Sequence, residues 1–356
     1  MSFFRVVFAA SVVVSGVAAA QPVAQSVAQP ASPPVAERVA PPAAISPLAD
    51  AINAQGFAAP SDKAAMGRML VRAQVLLDRR HFSPGTIDGR AGSNLKLAVR
   101  GFQQAEGLPV TGTIDAATFA KLVAGDAAPV IRTYKLVAAD VDGPWAAPVE
   151  PGDYAAMAKR ETMGWNSALE SLAERAHMDE RLVRTLNPGI GFDTAGQTIA
   201  VTDTARAALG AVAAIAIDKA RGELRAMDAA GAVLGVYPVT VGSRERPAPV
   251  GKWAVRTVAP APSYTFDPAR LTFKAKRGKA EKLTIQPGPN NPVGSTWIDL
   301  TRDTYGIHGT PHPEAVGKVE SHGCVRMTNW DAAELAKAVK AGTSVVFSGV
   351  AGGRKA

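Results

Sequence analysis

Apolar positions recur at helical spacing in the first part of the chain that reads as folded. Leu70, Ala73 and Leu77 fall on one helix face, and Leu95, Ala98, Val99 and Phe102 sit at i, i+3, i+4 and i+7, the period that turns one side of a helix to a core. Ser93 is placed to cap the second helix and Gly107 to stop it. The tetrapeptide Gly-Thr-Ile-Asp occurs at 85–88 and again at 112–115, each time leading into a helix. Residues 63–126 therefore read as a small three-helix bundle. Further on, Ser167-Ala168-Leu169-Glu170 forms a capping box, with Leu169, Leu172, Ala173 and Ala176 along one face of the helix that follows. Asp179 caps a second short helix, Asn187-Pro188 ends it, and 196–201 reads as a strand. Beyond Ala211 the period shortens. Val212–Ile217, Val233–Val241, Gly251–Val258, Thr296–Leu300 and Thr343–Phe347 read as strands, with turns at Ala220-Arg221-Gly222 and Ala229-Ala230-Gly231. A helix over Trp330–Lys340, opened by Thr328 and Asp331 and closed by Gly342, completes this mostly β region.

The segments between these elements have their own character. Arg5, the apolar run Val6–Val17 and Ala18-Ala19-Ala20 read as a signal peptide over 1–20. The run falls short of the ~20 residues that cross a bilayer. Residues 21–62 are rich in Ala, Pro, Val and Gln, and Pro33-Pro34 and Pro41-Pro42 favour an extended tether. Residues 127–152 mix Pro, Gly and Asp and read as a connector between the bundle and a module at 153–205, with the β region at 209–349. The fold class is multidomain α+β, and the mature protein is expected in the periplasm.

Composition narrows this further. With 47% hydrophobic and 20% charged residues among 356, the chain buries real cores and is not wholly disordered. Its net charge of +8 is spread out, apart from a cluster at Lys274, Lys276, Arg277, Lys279 and Lys282. That surplus suits attraction to an anionic polymer, and no recognition helix or aromatic-interleaved basic run points to nucleic acid. Cys324 is the single cysteine, so no disulfide forms within the chain.

A lone thiol on an exported protein is either buried and inert or chemically employed. Two of the five histidines, His308 and His322, lie sixteen and two residues before Cys324. A free thiol is mostly protonated at neutral pH, and an imidazole that accepts its proton makes the nucleophile. His322 shares a face with Cys324 if the stretch is extended. His308 reaches the sulfur only if its segment is a neighbour in the fold. The amides of Gly323 and Cys324 can face a developing oxyanion, and Arg326 offers a fork for a carboxylate. His308, His312, His322 and Cys324 are also zinc-ligand types, but Gly309 and Pro311 keep the first two off a shared helix face, and no metal is expected.

These residues carry three resemblances. Gln74, Pro84–Gly89, Ala98–Gln103 and Gly107–Gly112 resemble the peptidoglycan-binding domain of cell-wall enzymes. Leu186-Asn187-Pro188 with Gly196–Ile199 resembles the LysM glycan-binding fold, although Gly164–Ser167 stands where its first strand would be. Ser321-His322-Gly323-Cys324 with Arg326, preceded by Ile307-His308-Gly309-Thr310, resembles the catalytic motif of the L,D-transpeptidases (the YkuD-type domain). Pro249-Val250-Gly251, Asn291–Gly294 and Trp297-Ile298 add to it. The resemblance implies Cys324 as nucleophile, His308 as base, Gly309 orienting the base through its carbonyl, and His322 shaping the oxyanion site. Arg326, Tyr305 and Asn329 are expected at the substrate. It also implies cofactor-free acyl transfer from a peptidoglycan tetrapeptide stem, with loss of D-Ala, to give 3→3 cross-links. The acceptor stays open among a second stem, water (an L,D-carboxypeptidase) and an outer-membrane protein. A wall-binding protein without activity is the remaining alternative. The basic insertion 266–282 reads as a variable loop or a lid.

Overall fold

The computed structural model describes residues 46–58, 61–242, 250–268, 282–319 and 323–349. The expected signal peptide, most of the tether, the tip of the 266–282 insertion, Ser321 and His322 lie outside these residues.

The end of the expected tether is a helix. In α1 (Pro47–Ala54), Pro47 sits at the first helical position and Ser46 caps the start by accepting from the Ala49 amide at 3.3 Å. Ala49 and Ile52 are buried, and that burial outweighs the Ala/Pro-rich composition. The three-helix bundle follows as α2 (Lys63–Asp78), α3 (Ser93–Ala105) and α4 (Ala116–Ala124), and Leu95, Ala98, Val99 and Phe102 all point inward. Gly92, not Ser93, occupies the N-cap position of α3. The repeated Gly-Thr-Ile-Asp turns are each held by a buried glutamine. Gln74 accepts from the Gly89 amide at 2.8 Å, and Gln103 accepts from the Gly112 amide at 2.8 Å.

The stretch 127–152 is more than a connector. It supplies β1 (Ile131–Lys135) and α5 (Ala138–Val141), followed by α6 (Tyr154–Met157), α7 (Ala168–Arg175), α8 (Glu180–Leu186) and β2 (Thr198–Thr202). β1 pairs antiparallel with β2 from Ile131 opposite Thr202 to Lys135 opposite Thr198. The middle module therefore has its first strand upstream of the expected boundary at 153, separated from α7 and α8 by α5 and by an arm over 142–167 that carries α6. The bundle and this module share one hydrophobic core that runs from Ala49 to Val201 and takes in Val236 from the next region.

That next region is built from β3 (Ala214–Asp218), β4 (Glu223–Met227), β5 (Val233–Pro238), β6 (Thr240–Val241), β7 (Gly251–Pro260), β8 (Tyr264–Phe266), β9 (Leu283–Ile285), β10 (Thr296–Leu300), β11 (Gly306–His308), β12 (Val325–Arg326), α9 (Asn329–Ala338) and β13 (Ser344–Ser348). Nine of these strands form one sheet in the order β5-β4-β3-β13-β7-β10-β11-β12-β6. β8 and β9 pair separately at the base of the 266–282 insertion. A second core, with Ile215, Ile217, Leu224, Ile298, Ile307, Val325, Leu335 and Phe347 among its members, lies under the sheet and α9.

The bundle is sewn onto this sheet. Ser83 donates its amide to the Val236 carbonyl and Val236 donates back to His81, both at 2.8 Å, so Phe82 bridges to β5. A polar knot lies beside it. Arg206 bonds both Asp78 at the end of α2 and Glu334 of α9, while His81 also reaches Glu334 at 3.0 Å and Ser83 donates to Asp331 at 2.8 Å.

Candidate active site

Three strands set out the site. His308 of β11 lies opposite Trp297 of antiparallel β10 and opposite Arg326 of parallel β12. Cys324 lies two residues before Arg326, in the bend that leads into β12. The Met327 amide donates to the His308 carbonyl at 2.8 Å and continues the pairing past β12.

His308 is buried, and its Nδ1–H donates to the Gly309 carbonyl at 2.6 Å. Since a carbonyl only accepts, the tautomer follows: Nδ1 carries the proton and Nε2 is an acceptor. The Trp297 ring lies almost parallel to the imidazole, with centroids 5.6 Å apart and planes 16° apart. Burial lowers the His308 pKa to about 4. The Arg326 guanidinium pushes the same way and the Gly309 hydrogen bond opposes both. The ring is therefore neutral at physiological pH.

Gly309 can hold that carbonyl in place because it has no side chain. A Cβ there would overlap Asn329 Oδ1, and one on Gly294, whose φ is +64°, would strike the same atom. The two glycines let the peptide after His308 rest directly on the Asn329 amide.

Cys324 is half-buried, with Sγ 3.9 Å from the Thr304 carbonyl. The residue before it, Gly323, has φ of +129°, in the half of conformational space that glycine tolerates. Tyr305 was expected at the substrate but is buried, and its hydroxyl donates to the Gly323 carbonyl. A trans peptide is planar, so anchoring that carbonyl also fixes the opposite direction of the Cys324 N–H. Tyr305 thus acts on the backbone of Cys324. Arg326 is half-buried, its buried Nε has no hydrogen-bond partner among the described residues, and its charge attracts Cys324.

Asn329 departs from expectation in the same way. It is buried, Oδ1 accepts from the Ser295 amide at 3.1 Å, and Nδ2 donates to the Pro289 carbonyl and to Glu174, each at 3.1 Å. With its amide spent inside the protein, it has nothing to offer a substrate. Glu174 is the residue at this corner that motif reading missed, and no signal in the chain marks it. Trp297 stood among the supporting matches, but its stack on His308 emerges only from the β10–β11 register. Among the described residues no group of three or more His, Cys, Asp or Glu side chains is arranged to hold a metal ion.

Residues 213–347 match the family described as "L,D-transpeptidase catalytic domain" (YkuD), and residues 67–122 match the "Putative peptidoglycan binding domain". The "Putative L,D-transpeptidase YkuD" of Bacillus licheniformis is 40% identical over 83 residues, which is 23% of this chain and 50% of that protein. The "Probable L,D-transpeptidase ErfK/SrfK" of Escherichia coli is 35% identical over 112 residues, 31% of this chain and 36% of that one. The chain thus spans about half the length of the first curated relatives it matches. The crystal structure of L,D-transpeptidase 3 from Mycobacterium tuberculosis aligns with 44% of this chain and 76% of its own, at 16% identity and a TM-score of 0.32. Residues 213–347 are therefore an L,D-transpeptidase catalytic domain of the YkuD family, joined in one chain to a domain of the peptidoglycan-binding family at 67–122.

Proposed function

We propose that the protein is a periplasmic L,D-transpeptidase that cross-links peptidoglycan, with Cys324 as nucleophile and His308 as base. The observation that carries this reading is the neutral His308 ring, tied through Nδ1–H to Gly309 and paired in register with Arg326, two residues past Cys324. In the first step Nε2 of His308 takes the thiol proton while sulfur attacks the carbonyl of the third residue of a tetrapeptide stem. The C–N bond to terminal D-Ala breaks, the proton passes to the leaving amine, and a thioester remains. In the second step an acceptor amine gives its proton to His308 and attacks the thioester, the C–S bond breaks, and the departing sulfur takes that proton from His308 to restore the thiol. The amides at Gly323 and Cys324 face the oxyanion in both steps, and Arg326 receives a substrate carboxylate. His322 completes the oxyanion wall in this reading. The 67–122 domain holds the glycan-peptide mesh and raises the local concentration of stems.

Incubation of the purified protein with disaccharide-tetrapeptide tests the reading. An intact-mass increase on Cys324, followed by appearance of a 3→3 dimer, is the expected outcome, and Cys324→Ala gives neither. Free tripeptide in place of dimer identifies water as the acceptor. Absence of any acyl adduct on the native protein would overturn the assignment.

A further inference from the structure

We propose that Glu174, on the middle module, is a positioning residue for the acyl-transfer centre, holding the His308 loop through Asn329. The inference rests on the acyl-transfer reading above and deepens it. It gives the module at 127–205 a role in the reaction that is separate from any hold on glycan.

The linkage is continuous. Glu174 Oε2 accepts from Asn329 Nδ2 at 3.1 Å, and the same nitrogen donates to Pro289 at 3.1 Å. Oδ1 of that amide takes the Ser295 N–H at 3.1 Å. It is also the atom against which Gly309 and Gly294 pack with no room for a methyl group. Gly309 in turn accepts the His308 Nδ1 proton. A rotation of the Asn329 amide would therefore push on the peptide that sets the imidazole's angle. Glu174 opposes that rotation by fixing the NH₂ end.

Two further attachments bring the same module to the same corner. Met163 and the Pro287–Asn291 loop exchange main-chain hydrogen bonds, Met163 N to Pro287 O at 2.9 Å and Asn290 N to Met163 O at 2.8 Å. The Asn290 side chain donates to Gly164 O at 3.0 Å. These bonds place the Pro289 carbonyl that shares Asn329 Nδ2. On the other side, His177 stacks on Trp330, the next residue of α9, with centroids 4.9 Å apart and planes 9° apart. The first turn of α9 is thus gripped from the middle module on both sides of Asn329, and Glu174 is the member that touches the amide itself.

Full-length protein carrying Glu174→Ala or Glu174→Gln tests the role, with the rate and substrate dependence of thioester formation on Cys324 as readout. Misaligning a reacting group by about an ångström costs up to about a hundredfold in rate. Glu174→Ala is expected to lower the acylation kcat at least about tenfold and leave KM within about twofold, because the group acts on geometry and not on binding. Glu174→Gln keeps an oxygen facing Asn329 and is expected to restore the rate to within about twofold of the native protein. Should Glu174→Ala lose its cooperative melt, Glu174→Met, which keeps volume and removes the acceptor, is judged by the same criteria. Native-like acylation in a folded Ala or Met variant, or an equal loss in Glu174→Gln, overturns the proposal. If the native protein itself forms no thioester, it is the acyl-transfer reading that fails.

Discussion

At the scale of single residues, the His308 ring departs from its behaviour in water. Its Nδ1 proton is committed to Gly309, and burial with the nearby Arg326 charge lowers its pKa to about 4. An imidazolium is costly there, so in the proposed reaction the proton moves from sulfur as the carbonyl is attacked, without a standing thiolate–imidazolium pair. As the proposed base, His308 works only when neutral, and it is neutral above its pKa. The acid limb of kcat/KM for acylation is thus expected near pH 4, and a limb near the ordinary histidine value of about 6.5 would contradict it. Tyr305 yields a second expectation. Tyr305→Phe removes the donor to the Gly323 carbonyl and should cost about 1 kcal/mol of stability and slow acylation, checked by urea unfolding alongside thioester kinetics. The residues to which the proposal gives the chemistry could be picked out in the chain because a short run encodes them, Cys324, Gly323 and Arg326 within four positions. The roles of Tyr305 and Asn329 were not. Both sit beside the motif and look available to a substrate, yet each polar group is satisfied by a main-chain partner that only the folded register supplies.

At the scale of elements, the clearest strands and helices are those with strong local patterns. β10 lies at Thr296–Leu300 as its alternation predicts, and α9 begins one residue ahead of the expected Trp330, behind the Thr328 cap. α1 and β1 escaped notice for different reasons. An isolated eight-residue helix is marginal, and only Ala49 and Ile52 mark its buried side. β1 shows no clean alternation in burial, and its partner β2 lies more than sixty residues downstream. Asn53 joins the two new elements. Its Oδ1 accepts from the Val130 and Ile131 amides at 2.9 and 2.8 Å, and its Nδ2 donates to the Ile131 carbonyl at 3.0 Å. Asn53→Ala leaves those backbone groups without their partner, at a cost of about 2 kcal/mol. A lowered urea midpoint, with faster amide exchange concentrated at 130–135, is the expected signature.

At the scale of the whole molecule, the modules that read as beads on a string are fused. The bundle and the middle module share a core that includes Val236 of the catalytic domain, and Arg206 ties Asp78 to Glu334. Domain borders were hard to see because the joining contacts are scattered singly along the chain, without a repeat or motif. The same junction makes stability depend on pH. Burial and the Asp78 charge push Asp331 up to about 7, against the pull of Arg206, Ser83 and Thr328. Burial pushes Glu174 up to about 7, with Glu170 adding and Asn329, Trp165 and His177 opposing. In the unfolded chain these carboxyls ionise near about 4. Between there and pH 7 the unfolded state sheds protons that the folded state keeps, so their contribution to stability falls as pH rises. His308, lowered to about 4, works the other way up to its unfolded pKa of about 6.5. Asp331→Asn should therefore lose less stability than the parent between pH 5 and 7, measured as the change in urea midpoint, and parallel slopes would refute the assignment.

The bridge from Phe82 to Val236 has a consequence for solubility. A long sheet is open to polymerisation wherever an outer strand presents unpaired amides to another copy. Here β5 has part of its rim occupied by Phe82 and Ser83, and β6 at the opposite rim is only two residues long. The bundle that is read as a wall anchor thus also shields one flank of the sheet against fibril-like stacking.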